Sequence, residues 1–230
     1  MTAPVSGAPR LLIVAGPNGS GKTTLTNRLR AIGLDFGEYI NADEIALLLR
    51  HGPDKDRRAQ IEADRRRESA LADMRSYSFE TVMSHPSKID EMRAAKAAGY
   101  HFTFVGVALQ DPALNVERVA LRVREGGHDV PTDRIIARYH RTLALMPSAI
   151  SLADRSLIFD NSDSDKGPIL VMTTEQPLVV TVARRELTVR LATSARTNTA
   201  HWMMRFLLPA LMQMQVDRQL RLRFGSDLKD

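Results

Sequence analysis

The sequence predicts an α/β fold with a mostly parallel sheet flanked by helices. Three observations carry that prediction. An apolar run, Leu11-Leu12-Ile13-Val14-Ala15, feeds the glycine-rich turn Gly16-Pro17-Asn18-Gly19-Ser20-Gly21 and then a helical pattern of Leu25, Leu29 and Ile32. Strand-like and helix-like segments alternate after it, as in sheets built from strand–helix–strand units. Phe102, Phe104, Val105, Val107, Ala108 and Leu109 form a near-continuous apolar stretch, the pattern of a strand buried on both faces.

The elements follow in order. Strands are expected near 11–15, 38–41, 77–81, 101–109, 155–160, 168–173 and 177–182. Helices are expected near 22–32, 43–50, 57–75, 86–98, 112–124, 133–147 and 202–222. Pro86, Pro112 and Pro131 stand where helices can begin, and residues 50–55 form a polar break. In such a sheet ligands collect at the carboxyl ends of the strands.

At 230 residues the chain suits one such domain plus an addition. We place the domain at 1–183 and a basic extension at 184–230. The extension holds nine Lys/Arg against four Asp/Glu, so it carries the whole formal charge of +5. The rest is neutral, which leaves no argument from charge for a nucleic-acid partner. The chain has no cysteine, which excludes disulfides and thiolate metal sites. Neither a signal-peptide core nor an apolar run of membrane-spanning length is present, so a cytoplasmic protein is expected.

Residues 16–24 read GPNGSGKTT, a P-loop. Gly16, Asn18, Gly19, Ser20, Gly21, Lys22, Thr23 and Thr24 are the expected nucleotide-binding residues. The glycines let backbone N–H groups curl around phosphate, and the helix N-terminus points its positive end at the same place. Lys22 can reach the β- and γ-phosphates, and the Thr23 hydroxyl can ligate Mg²⁺. ATP and Mg²⁺ are therefore the expected cofactors.

Three further blocks carry chemistry. In YINADEIA, Asp43 falls after the second strand and can act as a base toward an acceptor hydroxyl; it or Asn41 can instead cap the next helix. In SFETVMSH, Glu80 and Thr81 interrupt an apolar strand at the ligand-binding edge and read as substrate contacts or as an ordinary strand end. In RVREGGHDVPTDRIIARYHR, Gly126-Gly127 and Pro131 break two basic helices and make a lid at about 125–134. Arg122 and Arg124 precede it, and Arg134, Arg138 and Arg141 follow it. Two or three of these arginines are expected on phosphate; the working assignment puts Arg124 and Arg138 on the transferring group and Arg122 and Arg134 on the nucleotide. His128 is taken as a loop residue. A P-loop ATPase or nucleotide-dependent binding protein would use Asp111 instead, but Asp111 precedes Pro112 and suits an N-cap.

These blocks in order, followed by DRSLIFDNSD, resemble the zeta-toxin family of P-loop kinases over residues 10–163, in particular its shorter chromosomal branch. The resemblance implies a nucleotide-kinase-like fold and ATP-dependent phosphorylation of a hydroxyl of UDP-N-acetylglucosamine or a related UDP-sugar. It also implies a small antitoxin as partner. Residue by residue, Lys22 and Thr23 match the nucleotide and Mg²⁺ positions, Asp43 the base and Glu80 the acidic substrate contact. One of Arg122 and Arg124, and one of Arg134 and Arg138, match the phosphate clamp. The longer toxins carry Gly-Thr after the glutamate where this chain has Thr81-Val82. Kinases of another sugar or nucleoside hydroxyl remain the alternative.

Residues 202–216, WMMRFLLPALMQMQV, are apolar on nearly every side. They read as a helix packed on the domain, then as a homo-oligomer or partner contact, then as a membrane-surface helix. The matching blocks end before this region, so it is expected to be dispensable for chemistry.

Overall fold

The computed structural model describes residues 7–49, 52, 54–175, 179–182, 202, 207 and 221–224. The strands are β1 (Arg10–Ala15), β2 (Glu38–Tyr39), β3 (Tyr77–Thr81), β4 (His101–Ala108), β5 (Arg155–Asp160), β6 (Ile169–Glu175), β7 (Val179–Val182) and β8 (Arg221–Phe224). The helices are α1 (Lys22–Ala31), α2 (Ala42–Leu48), α3 (Lys55–Ala72), α4 (Ser87–Ala97), α5 (Pro112–Arg124) and α6 (Thr132–Leu152).

The strands form one sheet in the order β2-β3-β1-β4-β5-β6-β7-β8. The five strands from β2 to β5 are mutually parallel, whereas β6 and β7 add antiparallel. The chain leaves β1 past β3 to reach β2 and later crosses back over β1 to β4. That reversal opens a crevice at the carboxyl end of β1, where the glycine-rich turn sits.

Two hydrophobic layers sandwich the sheet. One gathers Leu11, Ile13, Phe79, Met92, Phe102, Phe104, Leu143 and Met146. The other gathers Leu12, Val14, Leu25, Leu29, Val105 and Val107. Alternate residues of β1 thus serve opposite faces, the period-two logic of a strand covered on both sides.

Helix α6 runs to Leu152, past the expected end at 147. Pro147 lies inside it and costs a backbone hydrogen bond, yet Met146, Ala149 and Ile150 are fully buried and hold the last turn against the core. The expected helix at 202–222 lies mostly outside the described residues. At its far end Arg221 opens β8, which pairs in parallel with β7, so the helix does not extend to 222. Trp202 and Leu207 are fully buried in the main core. These two side chains are packed on the domain, as the first reading of the 202–216 run has it, and a buried tryptophan removes extensive apolar surface from water.

Candidate active site at the carboxyl edge of the sheet

Gly19 and Gly21 take left-handed backbone angles, φ of 73° and 88°, and the Ser20 N–H donates to the Pro17 carbonyl at 3.2 Å. Only glycine adopts such angles at no steric cost. At Gly16 a Cβ would collide with the Val107 carbonyl of β4. Lys22 is the first residue of α1, and its Nζ donates to the Gly16 and Pro17 carbonyls at 3.0 Å each. The side chain is half-buried, but its amine lies inside the loop. Burial is the main cause that lowers its pKa to about 8; the Arg122 charge acts in the same direction, and Glu80 and Asp43 oppose.

A line of hydrogen bonds leads away from the loop. The Thr23 hydroxyl donates to one carboxylate oxygen of Glu80 at 2.9 Å, and the Tyr39 hydroxyl donates to the other at 2.8 Å. Asn41 Nδ2 donates to the Tyr39 oxygen at 3.0 Å, while Asn41 Oδ1 accepts from the Asp43 N–H at 2.9 Å and caps α2. Burial and then the Glu80 charge push the Tyr39 phenol well above its ordinary pKa, so it stays a donor. The sheet register explains the meeting: Val14 lies beside Glu80 and Ala15 beside Thr81, so the end of β3 abuts the start of the loop. Asp43 stands exposed in the first turn of α2, and its carboxylate is free of the capping bond that Asn41 makes. Thr81 turns its hydroxyl to the Met83 N–H at 3.0 Å, closing a turn in which Met83 is held at φ 53°.

The lid arginines divide. Arg122 donates to the His128 carbonyl at 2.7 Å, packs under Gly127, and is the lid arginine whose charge is felt at Lys22. Arg124 lies two positions on, about 200° around the helix, and is exposed. Arg134 is exposed and Arg138, one turn further along α6, is half-buried. His128 lies 3.5 Å from Asp56 at the start of α3, so the lid loop touches that helix. Asp111 accepts from the Ala113 N–H at 2.8 Å, with Pro112 behind it: it caps α5.

Lys22 thus lies within electrostatic reach of Glu80, Arg122 and Asp43. An oxygen-only donor set, the Thr23 hydroxyl with the Glu80 carboxylate beside it, fits Mg²⁺, which takes oxygen ligands and keeps several waters. Tyr39 was not among the expected site residues, and neither were Asn115 and Asn161, which donate to carbonyls on the outside of the loop. Their sequence signal is weak: a tyrosine on a short strand, and two asparagines far from the motif.

No protein-family model matches the chain. An uncharacterized protein of Haemophilus influenzae is 30% identical over 137 residues, covering 56% of this chain and 92% of that protein. Among solved structures, the AvrRxo1-ORF1:-ORF2 complex with ATP is similar with a TM-score of 0.58 and 16% identity, over 80% of this chain and 64% of that one. The chain therefore spans less than two thirds of that structure's length. The PezAT chromosomal toxin–antitoxin system of Streptococcus pneumoniae is similar with a TM-score of 0.51 and 15% identity, over 71% of this chain and 72% of that one. At such identities the likeness speaks for the fold.

Proposed function

Because this chain belongs to one family with the Haemophilus influenzae protein and has the fold of the zeta-toxin-like P-loop kinases, we propose that it is an ATP-dependent small-molecule kinase. Its acceptor is a hydroxyl of a UDP-activated amino sugar of the UDP-N-acetylglucosamine type. The observation that carries this reading is the placement of Asp43: an exposed carboxylate whose charge reaches Lys22, on the edge of the sheet where the glycine-rich loop opens. The competing carboxylate, Asp111, is spent as a helix cap.

In the reaction the acceptor oxygen forms a bond to the γ-phosphorus as the bond to the ADP oxygen breaks, and the acceptor's proton passes to Asp43. Lys22 leaves the loop carbonyls to meet the β- and γ-phosphates. Arg122 from α5 and Arg138 from α6 cover the transferring group when the lid closes. Thr23, with the Glu80 carboxylate behind it, would hold Mg²⁺, which would neutralise phosphate charge. Both Glu80 oxygens are engaged by Thr23 and Tyr39, which supports a role at the metal and phosphate side more than on the acceptor.

A small protein partner is part of the proposal, because the two similar structures are of complexes, one of them a toxin–antitoxin system. No helix among the described residues is long and apolar enough to cross a membrane.

The test is incubation of the full chain with ATP, Mg²⁺ and a panel of UDP-sugars, free sugars and nucleosides, with mass spectrometry for a product heavier by one phosphate. Asp43→Asn keeps the backbone N–H that Asn41 caps and removes the base. It should retain ATP binding and lose roughly 10²–10⁴-fold in transfer. A fully active Asp43→Asn protein sinks the mechanism, and a product from free sugars alone moves the acceptor.

A further inference from the structure

The glycine-rich loop works only if its N–H groups face the phosphates. A peptide unit is planar and trans, so its carbonyl and N–H point to opposite sides. Whatever holds a loop carbonyl outward therefore aims the N–H of the following residue inward. Two such holds exist. Asn115 Nδ2 donates to the Asn18 carbonyl at 2.6 Å, and Asn161 Nδ2 donates to the Ser20 carbonyl at 2.8 Å. These carbonyls belong to the peptides whose N–H groups are those of Gly19 and Gly21. Among the described loops, neither of those N–H groups donates to a backbone carbonyl.

We propose that Asn115 and Asn161 are positioning residues of the phosphate site, each setting the direction of one loop peptide. Both are buried, 0% and 7% exposed. Each side chain rises from a rigid base. Asn115 lies in the first turn of α5, behind the Asp111 cap and Pro112. Asn161 follows β5 directly, its own N–H bound to the Ala108 carbonyl at the end of β4 at 3.0 Å. Its neighbours are tied as well, since Asp160 accepts from both the N–H and the hydroxyl of Ser162. The fit is close on both sides. A Cβ at Gly19 would lie 2.7 Å from the Asn115 carbonyl, and one at Gly21 would strike the Asn161 amide. For Asn115 the bond to the loop is the amide's hydrogen bond to protein, because its Oδ1 is buried without a protein partner. An apolar side chain of similar volume would avoid that unpaired acceptor, so a packing role alone does not account for an asparagine there.

The inference rests on the kinase reading only in that the loop must bind phosphate. The test uses the full chain labelled with ¹⁵N, with pyrophosphate and ADP–Mg²⁺ as probes. In the native protein the Gly19 and Gly21 amide protons should move downfield with either probe. Asn115→Leu should abolish the Gly19 shift, Asn161→Leu the Gly21 shift, and each should weaken both probes by about tenfold or more. Asn115→Asp and Asn161→Asp keep the size and remove the donor, and they stand in if the leucine variants fail to fold. Asn27→Ala, an exposed asparagine on α1, should change neither shift. Folded variants that bind ADP within about twofold of the native protein overturn the proposal. So do native glycine amides that stay still while ADP binds. A native protein that binds neither probe removes the kinase reading and this one with it, whereas native binding with unaffected variants removes this one alone.

Discussion

The Thr23 hydroxyl donates a hydrogen bond to the Glu80 carboxylate at 2.9 Å, linking the start of α1 to the end of β3. This bond turns the lone pairs of Thr23 outward, where a cation can use them, and places a carboxylate behind them. Glu80→Gln replaces one acceptor oxygen by an NH₂ group, which cannot accept from both Thr23 and Tyr39. The apparent affinity for Mg²⁺ should fall by roughly 10–100-fold, the usual cost of losing an outer-shell partner. The acceptor KM should stay nearly unchanged. Titration of transfer and of ADP binding with Mg²⁺ checks this; a large rise in acceptor KM alone would return Glu80 to the substrate side.

Lys22 makes nucleotide binding depend on pH. Its amine titrates near 8 in the free protein because the loop removes it from water. Phosphates placed beside it raise that value. Binding therefore takes up a proton between pH 8 and the raised pKa, and ATP affinity falls as pH rises through 8 while staying flat well below it. Calorimetry in two buffers of different ionisation enthalpy reads the uptake. Lys22→Met should abolish it, and an unchanged signal in that variant would assign the proton elsewhere.

Arg122 and Arg124 should separate sharply. The sequence reading assigned the transferring group to Arg124, whereas Arg122 is the one electrostatically coupled to Lys22. Arg122→Ala should lower kcat far more than it raises the ATP KM, by up to roughly 10³-fold if it acts as an arginine finger. Arg124→Ala should cost little. Steady-state kinetics on the pair decides it, and the opposite ranking would restore the original assignment.

Trp202 should matter for stability. It is fully buried against the same core as Phe102 and Leu143. Trp202→Ala should cost about 3–5 kcal/mol, the range for a buried tryptophan. Deletion of 199–230 removes Leu207 and β8 as well and should leave no cooperatively folded protein. Thermal denaturation followed by circular dichroism measures both. A truncated chain that melts like the native one would detach the extension from the body.

Arg67 is a second stability test. It lies buried over the Phe79 ring at 4.6 Å, paired with Asp64 and with Glu91 at 2.9 Å. Arg67→Ala leaves Glu91 still paired with Lys88 at 2.8 Å, so the loss should fall below the 3–5 kcal/mol typical of a broken buried pair, at about 2 kcal/mol. Urea denaturation gives the figure; no loss would mean the guanidinium is held by solvent more than by its partners.

The sequence by itself determined the element order from β1 to β7, the glycine-rich loop and the caps, because these depend on neighbours within a few residues. Apolar runs marked β1 and β4 on both faces, glycines marked the phosphate-loop turn, and Asp111 before Pro112 marked a cap. Only the tertiary structure decided which side chains meet. Glu80 lies far from Thr23 in the chain and next to it in space because β3 inserts beside β1. Arg122 and Arg124 sit about 200° apart around α5, and spacing alone does not say that Arg122 is the one whose charge acts on Lys22. Asn115 and Asn161 reach the loop because α5 begins and β5 ends on the same edge of the sheet. Trp202 belongs to the core because it fills space between elements that precede it by dozens of residues. Such contacts arise from sheet order and packing, and these are properties of the whole chain.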